Sequence, residues 1–313
     1  MIDLDDIRAA ANRIEGRVRR TPLAPAAPMR RAMSAAGEVV MKLESLQATG
    51  SFKARGAISK LTSLSEAEVR HGIVTASGGN HGVAVAYAGW VAGTPATVFV
   101  PENVSPLKAA KIESWGARLV VHGTVWDESN RAARALAEEE GLTYFHPFAD
   151  PAVMAGQGTV ALEILADAPE VDTLIIAIGG GGLISGMSVA ARALKPSVRI
   201  VGVEPVGAPT LYESVRAGRV VELPEITTTV PTMAARKTEP VNFEIVRRHV
   251  EEIVLVTDED MREAAELLWF EQGLAVDLSG AASVAALLTG KVRPAAGERV
   301  CALICGAGTD GLG

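Results

Sequence analysis

Thr173-Leu174-Ile175-Ile176-Ala177-Ile178-Gly179-Gly180-Gly181-Gly182-Leu183 decides between two folds. The uncharged run that it opens continues to Ala191, which is long enough to cross a bilayer. Four consecutive glycines argue against that, because they would expose backbone polar groups to lipid. The stretch reads instead as a short buried strand over 174–178, a glycine loop, and a helix from Leu183. Strand, loop and helix in that order form a unit of an α/β protein.

The same alternation extends outward in both directions. Further strands are predicted at 39–43, 73–76, 96–100, 118–121, 198–203, 253–256 and 300–304, and helices at 65–69, 81–91, 129–140, 258–270 and 280–288. Short apolar strands of this kind suit mostly parallel sheets covered on both faces. With 313 residues and 48% hydrophobic content the chain can bury a large core, and its length favours two lobes over one. The best internal break is Pro147-Phe148-Ala149-Asp150-Pro151, where prolines flank the segment.

Composition excludes several functions. Thirty basic against 37 acidic residues leave a net charge of −7 with no basic run, so no nucleic-acid partner is expected. No membrane association is expected either. The N-terminus is acidic where a secretory signal is basic and then apolar, and the only cysteines, Cys301 and Cys305, do not form a disulfide framework. The cytoplasm is the expected compartment.

Four stretches carry candidate chemistry. In Thr49-Gly50-Ser51-Phe52-Lys53-Ala54-Arg55-Gly56-Ala57, Lys53 lies at a predicted helix start, where the macrodipole disfavours its protonated form. A lysine of depressed pKa can condense with an aldehyde and then act as a base. Ser77-Gly78-Gly79-Asn80-His81-Gly82 forms a strand-to-helix turn whose N–H groups can receive a carboxylate, and the Asn80 amide can donate to a phenolic oxygen. His81 has no second histidine at ligand spacing, so it is a poor metal candidate. Gly179 to Gly182 can wrap a phosphate with free N–H groups. This loop matches no G-x-G-x-x-G register, and the match at Gly306 to Gly311 leaves no room for a helix before Gly313. Cys305, which closes the last strand, reads by itself as a small buried hydrophobe.

Taken together with Ala155-Gly156-Gln157-Gly158-Thr159, Val203-Glu204-Pro205 and the terminal Cys305-Gly306-Ala307-Gly308, these stretches resemble the serine/threonine dehydratase family of pyridoxal-phosphate enzymes with the tryptophan synthase β fold. The resemblance covers nearly the whole chain. Around the lysine, neither the Ser-Val-Lys-Asp-Arg usual in sulfhydrylases nor the His-Lys of tryptophan synthase β is present.

The resemblance implies two open, mostly parallel twisted sheets flanked by helices. It implies a large domain of residues 1–66 and 149–313, a small domain of residues 67–148, and a homodimer. It implies pyridoxal 5′-phosphate as the cofactor, with Lys53 as the Schiff-base lysine and Phe52 packed against the ring. Asn80 would meet the 3′ oxygen, Gly179, Gly180, Gly181, Gly182 and Leu183 the 5′-phosphate, and Cys305 the pyridine nitrogen. Ser77, Gly78, Gly79, Asn80 and His81 would receive the carboxylate of a small amino-acid substrate.

The implied reaction is dehydration and deamination of L-threonine or L-serine to a 2-keto acid and ammonia. A neutral thiol at the pyridine nitrogen makes the ring a weaker electron sink, which favours prompt loss of the β-hydroxyl. The sequence shows no obvious side-chain acid for that hydroxyl, which leaves the cofactor phosphate.

Alternatives are a serine racemase, another β-hydroxy amino acid lyase, or a sensor that binds the cofactor or an amino acid without turnover. Racemases of the family carry a serine where this chain has Gly78, so weak racemization is expected. Thr210 stands where metal-binding relatives have a second acid, so Glu204 reads as a surface or supporting acid and no metal is expected. Asp277 stands where relatives usually have glutamate, and Pro231-Thr232-Met233 replaces a stretch of the Ala-Asp-Gly type. The few residues after Cys305 hold no effector domain of the kind found in long threonine deaminases.

Overall fold

The computed structural model describes every residue except 27, 35, 311 and 313. Gly311, the last glycine of the apparent dinucleotide fingerprint, lies outside the described residues, as does Gly313 at the end of the large-domain range. The first elements are α1 (Leu4–Ile14), β1 (Leu23–Pro25), β2 (Glu38–Leu43), α2 (Lys53–Thr62), α3 (Glu66–Val69) and β3 (Ile73–Ala76). Next come α4 (Asn80–Ala92), β4 (Ala96–Val100), α5 (Pro106–Glu113), β5 (Arg118–Val121), α6 (Trp126–Glu140), β6 (Thr143–Tyr144) and α7 (Pro151–Asp167). The chain continues through β7 (Thr173–Ala177), α8 (Gly182–Leu194), β8 (Arg199–Pro205), α9 (Thr210–Ala217) and α10 (Pro240–His249). It finishes with β9 (Glu252–Val256), α11 (Asp258–Gln272), α12 (Leu278–Leu288) and β10 (Arg299–Ile304).

The deciding stretch is strand, loop and helix. All five residues of β7 are buried, and the strand lies between β10 and β8 in a six-stranded sheet of order β1-β2-β10-β7-β8-β9. Each Ile in such a place contributes roughly 1.5–3 kcal/mol by leaving water. All pairings in this sheet are parallel except that of β1 with β2. Residues 73–144 form a second sheet, β5-β4-β3-β6, which is parallel throughout. No helix among the described residues is long and apolar enough to cross a membrane.

Several elements carry little sequence signal. Strands β1 and β6 are two or three residues long, too short to alternate visibly. Helix α7 is buried on most sides and shows no amphipathic stripe. The proline pair read as a break is partly a helix start: the Asp150 side chain accepts from the Ala152 N–H at 2.8 Å, and Pro151 occupies the first turn.

Helix α2 is held by a seam of glycines. A Cβ on Gly156 of α7 would lie 2.5 Å from the Arg55 carbonyl, and one on Gly186 of α8 would lie 2.1 Å from the Met154 carbonyl. Side chains there would force α2, α7 and α8 apart. On its other side α2 packs against α4, so it runs between the two sheets with Lys53 at its first position.

Candidate active site

The turn before Lys53 is bent by two left-handed residues, Thr49 at φ 65° and Gly50 at φ 83°. Thr49 is the only non-glycine with positive φ among the described residues, and such strain persists where surrounding contacts over-determine it. Those contacts come from the chain after β10. The Ala307 N–H donates to the Gly50 carbonyl at 2.7 Å, and the Phe52 N–H donates to the Cys305 carbonyl at 3.2 Å. Lys53 and Cys305, far apart in sequence, are thereby tied by backbone.

The Lys53 amine donates to the Pro147 carbonyl at 2.7 Å and lies 5.2 Å from the centre of the Phe52 ring. Burial lowers its pKa to about 8, with Cys305 opposing the shift. The depression expected from the sequence is present, and its leading cause is removal of the amine from water, not the helix macrodipole. His146 nearby is also held neutral, with a pKa of about 4 caused first by burial and next by Arg134. Its Nδ1 accepts the N–H groups of Phe148 and Ala149 at 3.2 and 2.9 Å.

The glycine loop between β7 and α8 leans on Phe148. A Cβ on Gly180 would lie 2.3 Å from the Phe148 ring, and one on Gly182 would lie 2.5 Å from the Phe148 carbonyl. Helix α8 begins at Gly182, one residue before the expected Leu183. Thr238 Oγ1 donates to the Gly180 carbonyl at 3.0 Å. The N–H groups of Gly179 to Gly182 meet no protein acceptor among the described residues, an arrangement that suits an anion.

In the other loop Ser77 Oγ accepts the Gly79 N–H at 3.2 Å, and Gly79 caps α4. Asn80 opens that helix and its Nδ2 donates to Asp277 Oδ2 at 2.8 Å. His81 turns into the core: it is 2% exposed, its Nε2 meets the Phe145 carbonyl at 3.2 Å, and its Nδ1 is buried without a partner. Burial, with Lys53 as the next cause, holds its pKa well below the ordinary imidazole value.

Cys305 is buried, and its Sγ donates to the Ser279 carbonyl at 3.3 Å. Burial pushes the thiol pKa up, and Asp277 adds to the shift, so the group is a neutral S–H. Lys53, Phe52, Cys305, Asn80 and the glycine loop are therefore gathered within one set of contacts that also includes Pro147, Phe148 and Asp277. Pro147 and Phe148, which the sequence marks as a boundary, line the site because they sit just before the start of α7.

The reading of Glu204 as a surface or supporting acid is corrected on the first count. It is fully buried, and its carboxylate accepts the N–H groups of Leu211 and Tyr212 at 2.9 and 2.8 Å, at the start of α9. Burial pushes its pKa up to about 8 against the pull of those two N–H groups.

The donor set fits pyridoxal phosphate. A half-buried amine of lowered pKa suits the aldehyde, free N–H groups in a glycine cradle suit the phosphate, and a neutral thiol suits an unprotonated pyridine nitrogen. The buried hydroxyls of Thr49 and Ser51 lack partners within the protein, leaving polar groups available beside Lys53.

A family model described as pyridoxal-phosphate dependent enzyme matches residues 14–306. The chain is 38% identical over 310 residues to an L-threonine ammonia-lyase of Thermotoga maritima, a match that covers 99% of this chain and 76% of the relative. It superposes on the structure of maize serine racemase with a TM-score of 0.93 and 33% identity, covering 97% of this chain and 93% of that one. A threonine deaminase structure from T.th. gives a TM-score of 0.90 and 36% identity, covering 98% of each chain. Backbone likeness alone therefore does not separate the lyases from the racemases.

Proposed function

The chain belongs to the pyridoxal-phosphate dependent enzyme family, and from that premise we propose that it dehydrates and deaminates L-threonine or L-serine to a 2-keto acid and ammonia. One observation carries the reading: Lys53 is a half-buried, readily deprotonated amine at the start of α2, joined by backbone to the neutral thiol of Cys305. In this reading Lys53 holds the cofactor, with Phe52 beside the ring and Asn80 toward the 3′ oxygen. Gly179 to Gly182 and Leu183 receive the phosphate, and Cys305 faces the pyridine nitrogen. When bound, pyridoxal phosphate supplies an electron sink for the pair left at Cα.

The protein's own groups do the rest. The N–H groups of the Ser77 to His81 loop hold the substrate carboxylate. Lys53 Nζ, as a free amine, would take the Cα proton, and the ammonium so formed would return a proton to the hydroxyl, which leaves as water as the Cβ–O bond breaks. The enamine product then departs, and water converts it to keto acid and ammonia. The Cys305 thiol offers no carboxylate to keep the pyridine nitrogen protonated, so elimination is favoured over a persistent carbanion.

Gly78 argues against the racemase reading, since it offers no side chain to act as base on the opposite face. The same reading takes residues 67–148 as a small domain between 1–66 and 149–313, supported by the self-contained four-stranded sheet of residues 73–144. It takes the protein as a homodimer, and as cytoplasmic, where its two free, buried cysteines would stay reduced.

Borohydride reduction of the cofactor-loaded protein should add the cofactor's mass to Lys53, and L-threonine should yield a keto acid. If Lys53→Ala retains both properties, the assignment is wrong. D-serine appearing from L-serine before pyruvate would favour the racemase.

A further inference from the structure

Asp277 precedes α12 as its N-cap, in extended backbone, and Oδ1 accepts the Gly280 N–H and the Ser279 hydroxyl, each at 2.7 Å. A capping aspartate needs no more than this to be explained. Its other oxygen, however, leaves the helix and accepts Asn80 Nδ2 of α4 at 2.8 Å. Asp277 is 2% exposed; the Lys111 ammonium feels its charge, but no ion pair within 4.0 Å joins Asp277 to a cation among the described residues. A buried carboxylate with a cation only beyond ion-pair distance calls for a reason beyond capping.

The chain of contacts supplies one. From the Cys305 thiol a hydrogen bond runs to the Ser279 carbonyl, the Ser279 hydroxyl runs to Asp277, and Asp277 is met by Asn80. The backbone after Cys305 lies against the same group. A Cβ on Gly306 would fall 2.6 Å from Asp277 Oδ2 and 3.0 Å from Asn80 Nδ2, and the Asp277 N–H donates to the Gly306 carbonyl at 3.2 Å. The two ends of an asparagine amide have nearly the same shape but opposite hydrogen-bonding character. With Oδ1 taken by Gly280 and Ser279, Oδ2 accepts from Asn80, which holds the NH2 end of the amide there and leaves the second N–H of that end free to donate.

We propose that Asp277 is a positioning residue for the reaction: it fixes the Asn80 amide with its NH2 end available to the cofactor's 3′ oxygen, while anchoring Ser279 beneath Cys305. The inference rests on the placement of Asn80 proposed above. It explains why a charged cap is kept where an asparagine would cap α12 as well.

Asp277→Asn separates the two roles. Its oxygen preserves the cap on Gly280, which turns its own NH2 toward Asn80, so the Asn80 amide is no longer held with its NH2 end there. Cofactor-free parent and variant are titrated with pyridoxal 5′-phosphate and with 3-deoxypyridoxal 5′-phosphate, following absorbance at equilibrium. The expected result is affinity for pyridoxal phosphate about tenfold weaker in Asp277→Asn, with the deoxy analogue changed by less than about twofold, as for one charge-assisted hydrogen bond lost. Thermal midpoints of the cofactor-free proteins should agree within about 2 °C, whereas Asp277→Ala should fall further through loss of the cap.

Equal weakening toward both cofactors, or none toward either, overturns the role of Asp277 and leaves a plain helix cap. If the parent itself binds the two cofactors equally, Asn80 does not contact the 3′ oxygen. The placement of Asn80 then fails first and the proposal falls with it.

Discussion

Replacing Arg55 with methionine should cost this protein about 3–5 kcal/mol, because it breaks a buried charge cluster on one side only. Arg55 is 1% exposed and grips two carboxylates. It meets Glu44 through Nε at 2.8 Å and Nη2 at 2.7 Å, and Glu163 through Nη1 at 2.7 Å and Nη2 at 2.8 Å. Lys42, also fully buried, completes the cluster at 2.6 Å from Glu163, so two cations balance two anions. Burial opposes the Arg55 charge, but Glu44 and Glu163 outweigh it and hold the guanidinium pKa above its ordinary value.

With methionine in place, Glu44 keeps only the Thr21 hydroxyl as a side-chain donor, and two carboxylates face one ammonium. Unfolding entropy of about 2.1 cal/mol/K per residue amounts to roughly 0.66 kcal/mol/K for this chain, so the melting midpoint should drop by about 5–8 °C. Calorimetry of the cofactor-free protein measures the shift directly. Adding Glu44→Gln to Arg55→Met should recover part of the loss by removing the stranded charge. A drop below about 2 °C, or a double variant less stable than the single one, would refute the view that charge pairing holds α2 in place.

Two further outcomes follow from the geometry. Glu204 has its folded pKa raised from 4.5 to about 8 by burial, so the folded protein binds that proton more tightly than the unfolded chain. Its stabilising contribution is full below about pH 4.5 and is lost as pH rises through about 8. Melting midpoints of the parent should therefore decline relative to Glu204→Gln across that window, and parallel curves would contradict the assignment. A Cβ on Gly78 would lie 3.1 Å from Val104 Cγ2, a contact that must give for a serine to enter. Gly78→Ser should form little D-serine by chiral chromatography unless combined with Val104→Ala; rapid racemization by the single variant would show that the loop yields freely.

Much of the fold was legible because burial leaves strong local marks. The strands 73–76, 96–100 and 118–121 have the boundaries that their apolar runs predict, and β7 lies one residue earlier than the predicted 174–178. Helices α4 and α11 are marked by glycine turns and caps. Helix α7 was not legible, since it is enclosed by α1, α2 and α8 and needs no polar face. The His81 ring could be named but not oriented, because its course toward the Phe145 carbonyl depends on how β6 and α4 pack.

The sequence by itself determined the class of fold and the chemical types at the site: one lysine behind a glycine turn, two glycine loops before helices, and a terminal cysteine. Those are properties of residue type and spacing, which local backbone sterics translate into strand, turn and helix. Tertiary structure alone decided what surrounds them. Burial sets the Lys53 amine near pH 8, Phe148 closes the glycine cradle, Glu204 lies inside the core, and Asp277 reaches from α12 to Asn80. Desolvation and hydrogen-bond geometry depend on groups brought together from distant parts of the chain, and no local pattern records which groups those are.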